Sequence, residues 1–236
     1  MTEKTPLILL PGLLCDRRLW APQLAALSDI ADMTVPDLGL DDSFTGMAGR
    51  ILAAAAPRFA LAGLSMGGYV AQEVIRQAPE RVTRLALLDT SARADLPEQA
   101  QRRRDLIELS RRGQFHGVTE RLLPFLIHAN RLGDAALVKV IVEMAASVGA
   151  EGFRRQETAI LNRIDGRPDL ARIAVPTLIL CGREDQLTPV KVAEEMATLI
   201  PRSRLTIIEH CGHLTTLEEP GQVNDALRAW LRDRAR

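Results

Sequence analysis

The chain has 236 residues, 47% apolar and 25% charged, which is enough apolar material for one large core and rules out a disordered segment. Its 30 basic and 30 acidic residues cancel to a formal charge of zero. With no net field to hold a polyanion or an acidic lipid surface, neither nucleic acid nor a membrane is an expected partner.

In chain order, Met1–Pro6 carries no apolar core of signal-peptide length, and no export signal is read there. Short apolar runs suited to buried parallel strands follow at Leu7–Leu10, Met33–Val35, Phe59–Ala62, Val82–Leu88, Thr177–Cys181 and Leu205–Ile208. Segments of helical period lie between and after them, at Trp20–Leu27, Met47–Ala56, Met66–Gln77, Val190–Leu199 and Val223–Arg232. This alternation predicts an α/β fold with a mostly parallel sheet of about six strands flanked by helices. From about Ala92 to Pro168 the alternation stops. Helices are expected there over Gln101–Arg112, Val118–Ala129, Ala135–Val148 and Gly152–Asn162, with Gly113, Gly133, Gly149 and Gly166 near their ends. The predicted organisation is a core of residues 1–92 and 168–236 interrupted by a helical cap of residues 93–167. The longest apolar runs, such as Ile51–Pro57, are far shorter than the roughly 20 residues that span a bilayer. Cys15, Cys181 and Cys211 form an odd, scattered set, which points to a reducing compartment, read as the cytoplasm.

The sharpest local signal is Gly63-Leu64-Ser65-Met66-Gly67, followed by Gly68, between a predicted strand and a predicted helix. Bare G-x-S-x-G arises by chance in roughly one chain in ten of this length, so the flanking strand and helix carry the weight. An abrupt strand-to-helix turn strains the central serine, needs small neighbours and leaves the hydroxyl protruding beside the first amides of the helix.

A serine hydroxyl needs a base to take its proton, and imidazole is the side chain best suited to that at neutral pH. His116 and His128 fall in the cap, whereas His210 and His213 follow the last strand in Glu209-His210-Cys211-Gly212-His213. Loops after parallel strands gather on one sheet edge, so His213, set off by Gly212, is the expected base. The carboxylate that orients it should also follow a strand. Asp185 in Gly182–Pro189 is the expected acid, ahead of Asp89 and Glu184. The order Ser, Asp, His matches α/β-hydrolases and neither of the two protease orders.

Leu10-Pro11-Gly12-Leu13, the Ser65 elbow, Gly182–Pro189, and Gly212-His213 followed by Glu218-Glu219-Pro220 together resemble the α/β-hydrolase superfamily. The likeness covers almost the whole chain and is greatest to compact bacterial serine esterases, thioesterases and enol-lactonases with a helical lid. Pro11 stands where many members carry histidine, and the first strand corresponds to the third of the usual eight. The resemblance implies an oxyanion hole of the Leu13 and Met66 backbone amides. It also implies a small-molecule acyl substrate contacted by Leu14, Leu123, Phe125, Leu126 and Leu214, and no cofactor. The superfamily runs ester, thioester, lactone and carbon–carbon bond hydrolysis and perhydrolysis on one triad, and some relatives keep the pocket as a receptor. The complete set Ser65, Asp185 and His213 points to turnover.

Two further features are read as ordinary. Arg102-Arg103-Arg104 and Arg111-Arg112 form a solvated helix face. His210, Cys211 and His213 superficially resemble metal ligands, but no carboxylate or cysteine pair completes a site and the triad explains His213 better, so no metal is expected.

Overall fold

A computed structural model describes residues 4–233; the first three residues of the segment read for an export signal lie outside them. The core strands are β1 (Thr5–Leu10), β2 (Ala31–Thr34), β3 (Phe59–Leu64), β4 (Val82–Leu88), β5 (Thr177–Gly182) and β6 (Ser203–Ile208). The helices are α1 (Ala21–Ala26), α2 (Phe44–Ala54), α3 (Met66–Gln77), α4 (Pro97–Arg111), α5 (Leu123–Leu126), α6 (Ala135–Leu161), α7 (Arg167–Leu170), α8 (Val190–Leu199), α9 (Thr215–Glu218) and α10 (Pro220–Arg232).

All strands pair in parallel, in the order β2-β1-β3-β4-β5-β6. Alternate residues of each strand face opposite sides of a sheet, and the core divides accordingly. Leu7, Leu9, Ala60, Ala62, Leu64, Ala86, Leu88, Leu178 and Leu180 pack on one side with Trp20, Leu227 and Trp230. Ile8, Leu10, Leu61, Leu85, Leu87 and Ile179 pack on the other with residues of α2, α3 and α8. Burial on both faces explains why these strands read as continuous apolar runs.

Strand order reverses between β1 and β3, because β1 feeds the edge strand β2 before the chain returns to β3. Loops after neighbouring strands diverge at such a point and open a crevice at the carboxyl edge. The register aligns that edge: Leu10 pairs with Gly63, Leu64 with Leu88, and Gly182 with Ile208. The loops beginning at Pro11, Ser65, Asp89, Arg183 and Glu209 therefore leave the sheet side by side.

Helices α4 to α7 lie between β4 and β5, and α4 to α6 fall within the stretch expected as the insertion. Two expectations there need correction. The helix expected over Val118–Ala129 is one turn, Leu123–Leu126, followed by a 3-10 turn at Ala129–Arg131. Pro124 cannot sit inside a longer helix, since it lacks the amide and crowds the preceding turn. The helices expected over Ala135–Val148 and Gly152–Asn162 are both present: α6 is two helical stretches that meet at Gly149, whose φ of 68° and ψ of −179° are not helical. Arg103 is not on a solvated face: its guanidinium lies 2.7 Å from both Asp95 and Glu157, and Arg163 reaches Asp95 at 2.8 Å while stacking over the Tyr69 ring. That network ties the insertion to α3. In the core, β2 begins at Ala31, ahead of the expected Met33, because it is a short edge strand with partly exposed residues and little apolar signal. Among the described residues no helix is long and apolar enough to cross a membrane.

Candidate active site

Ser65 occupies the turn between β3 and α3 at φ 54° and ψ −116°, a left-handed conformation that costs about 1–3 kcal/mol for a residue with a side chain. The surroundings hold it there. Its amide donates to Leu88 O at 2.9 Å, and Thr90 Oγ1 donates to Ser65 O at 2.7 Å. The small residues beside it are a packing requirement. A Cβ on Gly63 would lie 2.2 Å from Gly67 O, and one on Gly67 would lie 2.2 Å from Leu10 O. Helix α3 can approach β1 and β3 this closely only with glycine at both positions.

His213 Nε2 lies 2.9 Å from Ser65 Oγ, and His213 Nδ1 lies 2.9 Å from Asp185 Oδ2. The remaining acceptor capacity of Asp185 is used by Leu187 N at 2.8 Å, Thr188 N at 2.9 Å and Thr188 Oγ1 at 2.6 Å. Asp185 and His213 are 4% and 3% exposed, so water does not screen their attraction. Burial pushes the Asp185 carboxyl up, but the charge and hydrogen bond of His213 and the Thr188 donors outweigh it and leave Asp185 below the usual carboxylate range. Burial likewise pushes His213 down, and the Asp185 charge and hydrogen bond, with the charges of Asp89 and Glu218, leave it above its ordinary value. The carboxylate therefore stays ionised and the imidazole becomes more basic, the combination needed to receive a proton from a hydroxyl.

The other acids considered are engaged elsewhere. Asp89 is fully buried, with Gly182 N donating to Oδ1 at 2.9 Å and Thr215 Oγ1 to Oδ2 at 2.5 Å. Burial and the charge of Asp185 push its carboxyl well above the usual range. Glu184 Oε2 accepts from Cys211 N at 3.0 Å. Neither bonds the His213 ring.

The loop after β1 runs alongside the serine, since a Cβ on Gly12 would lie 3.5 Å from Ser65 Cβ. Leu13 and Met66, the residues expected to offer amides, flank this approach, and no protein acceptor for either amide is found among the described residues. Leu14 adopts a positive φ of 58°, and its amide donates to Gln156 Oε1 at 3.0 Å. Gln156 belongs to α6 and is 1% exposed. Sequence reading missed it, because a glutamine inside a helical period reads as surface.

Glu218 follows His213 by five residues in the stretch that resembles the family. It is buried and gathers three backbone amides: His128 N at 2.6 Å, Gly212 N at 3.2 Å and Leu214 N at 3.2 Å. Burial pushes its carboxyl up against the pull of those amides. The insertion also meets the histidine loop directly, as His213 N and Leu214 N both donate to Leu126 O at 3.1 Å.

Of the residues expected to contact substrate, Leu14, Leu123 and Leu214 belong to one buried cluster, with Leu13 and Leu126 packed against it. Phe125 is 47% exposed and belongs to neither cluster; the short α5 turn aims it at solvent. A separate cavity of about 300 Å³, lined by Tyr69, Gln72, Arg76, Arg93 and Arg163, includes none of Ser65, Asp185 and His213.

The family described as alpha/beta hydrolase fold matches residues 53–220. The chain is 31% identical over 173 residues to the pimeloyl-[acyl-carrier protein] methyl ester esterase of Nitrosomonas europaea, covering 70% of this chain and 68% of that protein. It is 28% identical to 3-oxoadipate enol-lactonase 2 of Acinetobacter baylyi over 73% of this chain and 63% of that one. A thermophilic esterase from Thermogutta terrifontis superposes with a TM-score of 0.87 at 30% identity, over 97% of this chain and 89% of that structure. The chain belongs to the α/β-hydrolase family, and it is a hydrolase of that type.

Proposed function

We propose that the chain hydrolyses a small carboxylic ester or thioester through an acyl-enzyme on Ser65, with His213 as general base and acid, Asp185 as its orienting carboxylate, and the Leu13 and Met66 amides as the oxyanion hole. The observation that carries the reading is the unbroken hydrogen-bonded line from Ser65 Oγ through His213 to Asp185.

Ser65 Oγ attacks the carbonyl carbon as its proton passes to His213 Nε2, and the carbonyl electron pair moves onto oxygen, where the two amides receive it. Collapse of that intermediate breaks the bond to the alcohol or thiol, which leaves with the proton from Nε2. Water then gives a proton to Nε2 and attacks the acyl carbon, and Ser65 departs as the hydroxyl with that proton restored. Ester and water become acid and alcohol, and every step uses side chains, amides and water.

Residues 93–167 act as a lid over the acyl group. Leu14, Leu123, Leu126 and Leu214 line the apolar side of the pocket, consistent with their shared packing, and Phe125 sits at the rim. The names of the relatives, a methyl ester esterase and an enol-lactonase, fit an acyl–oxygen bond as the scissile one, with a lactone as its cyclic form.

The test is a panel of esters, thioesters and lactones of graded acyl length, run against wild type and Ser65→Ala. The expected result is turnover that peaks within the ester and thioester sets and falls at least about 10⁴-fold in the variant. Turnover equal in the two proteins would remove Ser65 from the chemistry.

A further inference from the structure

Away from the triad, the fold gathers a second group of strong ligands. We infer that His128, Glu184 and His210 form a binding site for a divalent transition-metal ion of the zinc type, joining the insertion to the loops after β5 and β6. Each side chain offers one donor atom, and the three atoms lie within 4.8 Å of one another. In sequence His210 is grouped with Cys211 and His213, and no carboxylate completes that set. The fold divides the group differently: His213 faces Ser65, and Cys211 is buried in the core. Glu184 from the neighbouring loop and His128 from the insertion come to His210 instead.

Two imidazoles and one carboxylate, with a fourth position for water, are a donor set that tetrahedral zinc accepts, whereas magnesium and calcium favour oxygen ligands. The His128 and His210 rings stand edge to face with centres 6.1 Å apart. On one tetrahedral zinc two imidazole centres lie about 5 Å apart, and exposed His210 is free to rotate by that difference.

The ligands are also held from behind. His128 Nδ1 lies 2.5 Å from Asn130 Oδ1 and 3.2 Å from the Asn130 amide. The Asn130 amide donates to Nδ1, and both contacts engage that ring atom. Glu184 Oε2 accepts from Cys211 N, which leaves Oε1 for an ion. Metal-bound histidines and carboxylates are commonly fixed through their second atom in this way. By contrast, Asp89, Cys181 and Asp185 also converge, but that group is fully buried and its carboxylates are already bonded to Gly182, Thr215, Thr188 and His213.

Glu184 precedes Asp185 and His210 lies three residues before His213, so a bound ion pins both triad-bearing loops to the insertion. An ion that binds the folded chain alone stabilises it by mass action.

The test uses the untagged full chain, stripped with a chelator and dialysed, then titrated with zinc sulfate by calorimetry and followed by thermal unfolding with and without zinc. The expected result is one saturable zinc per chain, a higher Tm with zinc, and no effect of magnesium. His210→Ala and Glu184→Gln are each expected to weaken zinc binding by more than about tenfold, while His116→Ala binds as wild type does. Absence of saturable binding, or binding unchanged in both His210→Ala and Glu184→Gln, would overturn the assignment.

Discussion

The carboxyl edge of the sheet and the helical insertion are built by different means. At the edge, position is set by backbone: register aligns the strand ends, two glycines let α3 meet β1 and β3, and Ser65 takes a left-handed φ between them. The insertion is attached by particular polar contacts: Leu126 O to the histidine loop, Glu218 to His128 N, Gln156 to Leu14 N, and the Arg103–Asp95–Arg163 network beneath. The core thus sets its candidate groups chiefly through strand and turn geometry, while the insertion reaches them through a few side chains whose loss is separable.

The largest expected effect lies at the edge. Asp185→Asn removes the acceptor that fixes the His213 tautomer and is expected to lower kcat about 10⁴-fold. Asp89→Asn, whose partners are Gly182 and Thr215, is expected to cost far less, because it does not bond the imidazole. Steady-state assays on both variants check this, and equal losses would erase the distinction between the two acids.

The pH dependence is next. In the proposed reaction His213 must be neutral to accept the serine proton, and its raised value means that it stays protonated to a pH above the ordinary 6.5. On the acid side kcat/KM is therefore expected to rise tenfold per pH unit to a midpoint above 6.5.

Effects in the insertion are smaller. Gln156→Leu leaves the buried Leu14 amide without an acceptor, a loss of about 1–3 kcal/mol. It is expected to lower kcat roughly tenfold through the neighbouring Leu13 amide, one step of about 1.4 kcal/mol, with KM little changed. Purely structural support would instead lower stability and leave kcat intact. Smallest is Phe125→Ala. Its half-exposed ring predicts unfolding within about 0.5 kcal/mol of wild type and a shift in acyl-length preference confined to the longest esters, read from the same substrate panel. A large loss on the smallest ester would move Phe125 from the rim into the pocket.

The same division governs what the sequence reveals. Strand β4 and helices α3 and α8 fall at their predicted residues, because a strand buried on both faces writes an apolar run and an amphipathic covering helix writes a period of about 3.6 residues. Ser65, Asp185 and His213 were legible because each follows a strand, and a parallel sheet sends such loops to one edge. Contacts of the insertion left no such trace. Pro124 shortened a helix that apolar spacing had extended, Arg103 was buried by partners 8 and 54 residues away, and Gln156 meets Leu14 across 142 residues. Long-range polar pairing carries no local periodicity, so only the folded chain reveals it.

In the proposed mechanism an alcohol, an imidazole and a carboxylate drawn from three separate loops act as one nucleophilic unit. Reaction with a fluorophosphonate followed by peptide mass mapping addresses it without knowledge of the natural substrate. One adduct on Ser65, absent in Ser65→Ala and slowed in Asp185→Asn, is the predicted outcome. Labelling at another residue, or an unlabelled wild-type chain, would contradict it.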